Sequence, residues 1–183
     1  LDTLARLDIY PDVLQCNDWQ TAASIVYLKG MYYADEKYRR IKTVFTIHNI
    51  EYQGIFGMET FGSLFGFPDN LRDFAEFDGN VNLMKAAIEM SDLVNTVSPT
   101  YAEEIKNAFF AHGLENIIAR NSYKIYGILN GIDYDYYNPE TDKYLFKNYS
   151  VKDLSGKAVC KAELQKLLGL PVRADVPIIA VIS

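Results

Sequence analysis

Histidine and cysteine, the side chains behind most metal and nucleophile chemistry, are nearly missing from this chain: each occurs twice in 183 residues. With His48 and His112 the whole stock, a histidine-based metal site is not expected. Cys16 and Cys160 lie far apart and match neither a zinc spacing nor a disulfide framework. No glycine-rich phosphate fingerprint is present, of either the dinucleotide or the P-loop type. Ser98 lies between a strand pattern and a helix pattern, but the flanking glycines of a nucleophile elbow are absent. No apolar run approaches the roughly 18 residues of a membrane span. The amino end, Leu1 to Asp8, lacks the basic-then-apolar pattern of a secretory leader. The net charge of -6, with the two signs interspersed, leaves no basic footprint for nucleic acid. Asn148-Tyr-Ser150 is a sequon, read as unused without such a leader, and the reducing cytoplasm is the expected compartment.

What remains is ordinary globular material, 49% hydrophobic and 23% charged, long enough for one sizeable core. Tyrosine stands out, with 14 copies against one tryptophan. Its flat face and hydroxyl suit sugar surfaces, although most copies are expected in the core or at its rim. Strand and helix patterns alternate. Strands are expected at Asp12–Cys16, Thr43–Ile47, Asp92–Val97 and Tyr126–Leu129, with a last one at Val176–Ser183. Helices are expected from Trp19 to Tyr33, Asn82 to Met90, Ser98 to Phe110 and Lys157 to Leu168. Ser98 serves as N-cap of the third, with Pro99 at its first position. Residues 54–78 are aromatic and glycine-rich without a period, and predict short helical turns or a flap. The alternation predicts an α/β fold, a Rossmann-like parallel sheet with helices on both faces. Both ends read as cut, the second in the middle of an apolar strand pattern, so a fragment of a longer protein is expected.

The segment Thr43-Val-Phe-Thr-Ile-His-Asn-Ile-Glu-Tyr-Gln-Gly54 is the most informative. A buried parallel strand delivers the residues beyond its carboxyl end to the ligand crevice. Here those residues are His48, Asn49, Glu51, Tyr52 and Gln53, a loop suited to a polyhydroxylated ligand. Two more strand ends carry polar clusters, Asn17-Asp18-Trp19-Gln20 and Asn130-Gly131-Ile132-Asp133. In a parallel sheet all three emerge on one edge and can converge on one cleft. Taken singly each has a plainer explanation: His48 satisfied at a strand end, Asp18 as a helix cap, Asn130-Gly131 as a turn. Asp133-Tyr-Asp135 matches the short acid-any-acid pattern of some metal-dependent sugar transferases, but such a pattern arises often by chance.

Four stretches, Cys16 to Ala22, Val44 to Gly54, Asn95 to Ala102 and Leu129 to Asp133, resemble in order and spacing the bacterial glycogen synthases and plant starch synthases. The resemblance implies a retaining glucosyltransferase of two Rossmann-like domains facing a deep cleft, the GT-B architecture. It implies transfer of glucose from ADP-glucose to the non-reducing end of an α-1,4-glucan, with no metal and no cofactor. By resemblance, residues 1–135 are part of the amino-terminal domain, 136–155 the linker, and 156–183 the first helix and strand of the second domain. His48 is similar to the histidine that contacts the transferred glucose. Asp18 is similar to the acid of an Asp-Trp-His motif at the cleft wall, and Asn130 to an asparagine facing the sugar at the domain junction. Asn49, Tyr52 and Gln53 share the His48 loop and are expected to bind substrate. Gln20 stands where many members have histidine; it keeps hydrogen bonding but cannot titrate. The cationic groups that hold the leaving diphosphate in the family are not found here, which implies that this chain alone does not transfer glucose. Another nucleotide-sugar donor, or a non-catalytic glucan-binding or scaffolding domain, are the alternatives.

Overall fold

The β-branched and aromatic run Lys42–Ile47 forms the strand its composition predicts, with Thr43, Phe45, Thr46 and Ile47 buried. In the computed structural model, which describes residues 1–182, this strand lies inside a four-stranded parallel sheet. The chain begins with α1 (Asp2–Arg6), β1 (Val13–Asn17), α2 (Asp18–Gly30), α3 (Glu36–Arg39), β2 (Lys42–Ile47) and β3 (Ile55–Gly57). It continues through α4 (Thr60–Ser63), α5 (Arg72–Ala75), β4 (Glu76–Phe77), β5 (Asn80–Asn82), α6 (Leu83–Met90) and β6 (Leu93–Thr96). Then come α7 (Pro99–Glu104), α8 (Ala108–Ala111), α9 (Glu115–Arg120), β7 (Ile125–Gly127) and α10 (Ser155–Leu167).

The sheet order is β1-β2-β6-β7, every pair parallel. Register places Cys16 beside Phe45, Phe45 beside Val94 and Val94 beside Ile125, an apolar row across all four strands. That row shares one core with Ala22, Ile25 and Val26 of α2 and with Met84, Ala87 and Ile88 of α6. Each large side chain removed from water contributes roughly 1.5–3 kcal/mol, so this core fixes which strand ends meet at each edge. Beside it hydrogen bonds cross the strands: Gln15 Nε2 donates diagonally to Thr46 Oγ1 at 2.9 Å, and Thr46 donates to Oδ1 of its register partner Asn95 at 2.7 Å.

Local signals placed several helix ends correctly. Ser98 caps α7 by accepting the Tyr101 N–H at 2.9 Å, with Pro99 at the first helical position. The helix stops at Glu104 rather than running to Phe110. Asn107 opens a separate turn, α8, by accepting the Phe109 N–H at 3.0 Å, an asparagine side chain competing with helix continuation. Residues 54–78 contain the expected short turns, α4 and α5, but β3, β4 and β5 also form an antiparallel sheet of order β3-β5-β4. Strands of two or three residues are too short for a period to show in sequence.

The chain packs as two compact units, Leu1–Asn130 and the residues from Gly131 onward. The second is built on α10. Its Gln165, 3% exposed, donates from Nε2 to Arg173 O at 3.1 Å and accepts the Arg173 N–H at 3.2 Å. The strand expected at Val176–Ser183 does not form over 176–182, and Ser183 lies outside the described residues. Ile179 and Val181 are 91% and 92% exposed. A strand is held by its ladder, and this run pairs with none among the described residues.

Candidate functional site

All four parallel strands release the chain at one edge, which gathers Asn17 at the end of β1, Asp18 after it, and residues 48–54 after β2. Val97 and Ser98 follow β6 there, and residues 128–130 follow β7. The first two segments are tied directly. Asp18 Oδ1 accepts the His48 N–H at 2.8 Å and lies 3.4 Å from the Asn49 nitrogen. Asp18 was expected to cap α2, yet that helix has no side-chain cap bond. Its φ of +53° places it in the left-handed region that aspartate tolerates better than most residues. A left-handed residue at the head of a helix departs from the helical path, and its carboxylate serves the neighbouring strand end instead. Thr21 closes the turn from below, its hydroxyl donating to Asn17 O at 2.7 Å.

The His48 ring has one protein partner. Its Nε2 lies 3.0 Å from Oδ1 of Asn17, and Nδ1 has none among the described residues. Both side chains are exposed.

Beyond His48 the loop is anchored at each step. Asn49 folds it by accepting the Glu51 N–H at 3.0 Å. Ile50 is buried, and its N–H donates to the Tyr101 hydroxyl of α7 at 3.2 Å. Gln53 is 6% exposed; its Nε2 donates to His112 O at 3.0 Å, and its Oε1 accepts Asn82 Nδ2 at 2.7 Å. Asn82 in turn caps α6 by accepting the Lys85 N–H at 2.9 Å. Gly54 comes next with φ +65°, and a Cβ there would fall 2.7 Å from Cε3 of Trp19. The loop is therefore a rigid arch with an exposed front (His48, Asn49, Tyr52) and a buried foot.

Asp18, His48 and Asn49 come together. Tyr52 is exposed on the same arch. Gln53, expected to face a ligand, points inward and spends its amide on the fold. Gln20 is exposed in the first turn of α2. Asn130 is exposed beyond β7 and is not brought into hydrogen-bond contact with the His48 arch. Gly127, three residues before it, permits close packing, since a Cβ there would lie 2.1 Å from Ser98 O. Two contributors went unassigned from sequence. Asn17 was visible only as part of a polar strand end. Tyr101 acts on a residue 51 positions earlier, which no local pattern reveals.

Chemically the edge offers two carboxylates (Asp18 and the exposed Glu51), one imidazole, the Tyr52 phenol and amides. None of the segments 17–20, 48–54, 97–99 and 128–130 holds lysine or arginine. No group of His, Cys, Asp and Glu able to hold a metal occurs among the described residues. Cys16, under the site, is buried, and burial pushes its thiol up, only partly offset by a hydrogen bond with Thr21, which disfavours the thiolate. Such a set grips hydroxyl groups well and phosphate poorly.

Residues 1–120 match the family model described as starch synthase catalytic domain. The glycogen synthase of Clostridium novyi is 46% identical over 178 residues, covering 96% of this chain and 37% of that protein. The glycogen synthase of Thermotoga maritima is 46% identical over 185 aligned positions, covering 100% of this chain and 38% of that protein. Among solved structures, the catalytic domain of starch synthase IV from Arabidopsis thaliana, bound to ADP and acarbose, superposes with a TM-score of 0.77. It is 37% identical, over 92% of this chain and 35% of that one. The chain thus spans less than two-fifths of the length of the curated relatives it matches.

Proposed function

Because the chain belongs to the starch synthase catalytic domain family, we propose that it forms one wall of a glucose-transfer cleft. The reaction is transfer from ADP-glucose to the non-reducing end of an α-1,4-glucan, with retention. The observation that carries this reading is the Asp18–His48 tie at the carboxyl edge of the sheet. It holds a set of hydroxyl-gripping side chains where α/β sheets bind ligands. Retaining transfer needs sugar hydroxyls held more tightly in the transition state than in the ground state. His48 contacts the transferred glucose, Asn49 and Tyr52 line the same front, and Asp18, Gln20 and Asn130 complete the wall. Gln53 supports the arch from behind. The neighbour solved with ADP and acarbose supports an ADP-linked donor and a sugar-chain acceptor. Residues 1–135 are read as part of an amino-terminal Rossmann-like domain, 136–155 as a linker and 156–183 as the opening of a second domain. The proposed compartment is the cytoplasm; no helix among the described residues is long and apolar enough to cross a membrane.

The test is a chimera in which these residues replace the matching segment of the Thermotoga maritima glycogen synthase. Glucan extension from ADP-glucose is expected, and His48→Ala should slow it at least about tenfold, the loss of one hydrogen bond in the transition state. A folded chimera that uses another nucleotide sugar, or is indifferent to His48→Ala, refutes the assignment. Because its strand-end loops carry no cation for a leaving diphosphate, the 183-residue chain by itself is expected to be inactive.

A further inference from the structure

We propose that Asn17 is a positioning residue that fixes the His48 imidazole in its Nε2–H tautomer, leaving the Nδ1 lone pair free to accept a sugar hydroxyl. The inference rests on the reading that His48 lies against the transferred glucose. A neutral imidazole has one donor and one acceptor nitrogen, and the partner of one decides the role of the other. Here Nε2 meets the Asn17 side-chain oxygen at 3.0 Å. An amide oxygen only accepts, so the proton sits on Nε2.

Two further observations make the arrangement a built one. The backbone of His48 is held by the carboxylate of Asp18, the residue next to Asn17, so ring and amide are fixed in mutual register by adjacent residues of one strand end. On both segments Asn17, Gln20 and Asn49 do not titrate, the Asp18 carboxylate is engaged with backbone N–H groups, and the exposed Glu51 carboxylate makes no hydrogen bond to the ring among the described residues. The ring is therefore oriented by an amide dipole and not by a neighbouring charge. A carboxylate in Asn17's place would favour the imidazolium, which has no acceptor nitrogen. An amide sets the tautomer without recruiting a second proton, and so keeps the ring ready to receive an O–H.

The tautomer is read directly from long-range proton–nitrogen correlation spectra of the 15N-labelled chain at about pH 8.5, where an ordinary histidine is neutral. His112 is assigned with His112→Asn, since asparagine tolerates its φ of +49°. We expect His48 to show an unprotonated Nδ1 and a protonated Nε2. Asn17→Ala should bring the two nitrogen shifts together, toward the averaged values of a free imidazole. Asn17→Asp, still an acceptor, should keep them apart once the pH is high enough for the ring to be neutral. In the chimera, Asn17→Ala should lower kcat/KM by about three- to tenfold, the worth of one hydrogen bond. A protonated Nδ1 in the unsubstituted chain, or shifts unmoved by Asn17→Ala, overturns the proposal. The spectrum needs no substrate, whereas the glucose contact is judged by His48→Ala turnover, so the two readings fail separately. Asn17 is exposed, and its truncation leaves the core untouched.

Discussion

The Asp18 carboxylate accepts the backbone N–H of His48 at 2.8 Å, joining two strand ends 30 residues apart in sequence. Aspartate meets two demands here, a left-handed φ of +53° and an acceptor aimed across the edge. Asparagine satisfies both without charge, so Asp18→Asn should cost under about 1 kcal/mol. Asp18→Ala loses the acceptor and should cost about 1–2 kcal/mol, discounted because the site is half-buried. Asp18→Val adds a β-branched residue in a left-handed conformation, roughly 1–2 kcal/mol more. Urea midpoints should fall in that order, and equal midpoints for Ala and Val would remove the backbone argument.

Gln53 supports the arch through two partners, His112 O and Asn82 Nδ2, at 3.0 and 2.7 Å. Gln53→Leu keeps the volume but leaves the buried Asn82 amide without this partner, about 1–3 kcal/mol, and frees the His112 carbonyl, on an exposed residue, at a smaller cost. Amide exchange should quicken at Ile50 and Met84, two of the backbone donors that hold the arch. If stability falls while exchange at Ile50 stays slow, Gln53 is a core residue and not the arch's anchor.

Why Gln53 read as ligand-facing, and why Thr43–Ile47 read correctly as a strand, comes down to range. The strand is written in consecutive β-branched and aromatic residues, and the α7 cap in Ser98 and Pro99, three residues from the amide it receives. Polar residues collecting at one edge is a consequence of parallel topology, so His48 and Asp18 could be placed together before any coordinates. The direction of a side chain within that edge depends on partners far away in sequence: Gln53 turns inward because of residues 29 and 59 positions later. Asp18 looked like a helix cap for the same reason, its real partner lying 30 positions on. The run Val176–Ile182 has the composition of a buried strand, but pairing, not composition, makes a strand. No ladder forms on it among the described residues.

At the opposite edge of the sheet, Asp92 Oδ2 accepts from Lys29 Nζ at 2.6 Å, Thr43 N at 2.7 Å and the Thr43 hydroxyl at 3.0 Å. Burial pushes this carboxyl up, but the bonds from Lys29 and Thr43 outweigh it and hold the group below the ordinary carboxylate range. A depressed folded pKa adds stability above the unfolded value of about 3.9, and that stability is lost as pH falls through the folded value. Asp92→Asn should therefore cost about 1 kcal/mol at neutral pH, a figure reduced because the side chain is 36% exposed. The cost should shrink toward zero near pH 2. Urea unfolding of both proteins at the two pH values measures it, and a pH-independent difference would exclude the carboxylate's charge as the cause.

Gly54 closes the arch where it packs on Trp19, and two separate costs oppose any side chain there. Its φ of +65° is left-handed, and an added Cβ would stand 2.7 Å from Cε3 and 2.9 Å from Cβ of Trp19. The backbone conformation costs about 1–2 kcal/mol for a non-glycine residue, and overpacking about 1–3 kcal/mol. Gly54→Ala should thus destabilise by roughly 2–5 kcal/mol. The chain has one tryptophan, so its fluorescence reports the displacement without ambiguity. Trp19→Ala removes the ring contacts but not the strained φ, so in that background Gly54→Ala should cost about 1 kcal/mol less. Full additivity of the two substitutions would mean that the left-handed backbone alone requires glycine and that the indole ring imposes nothing.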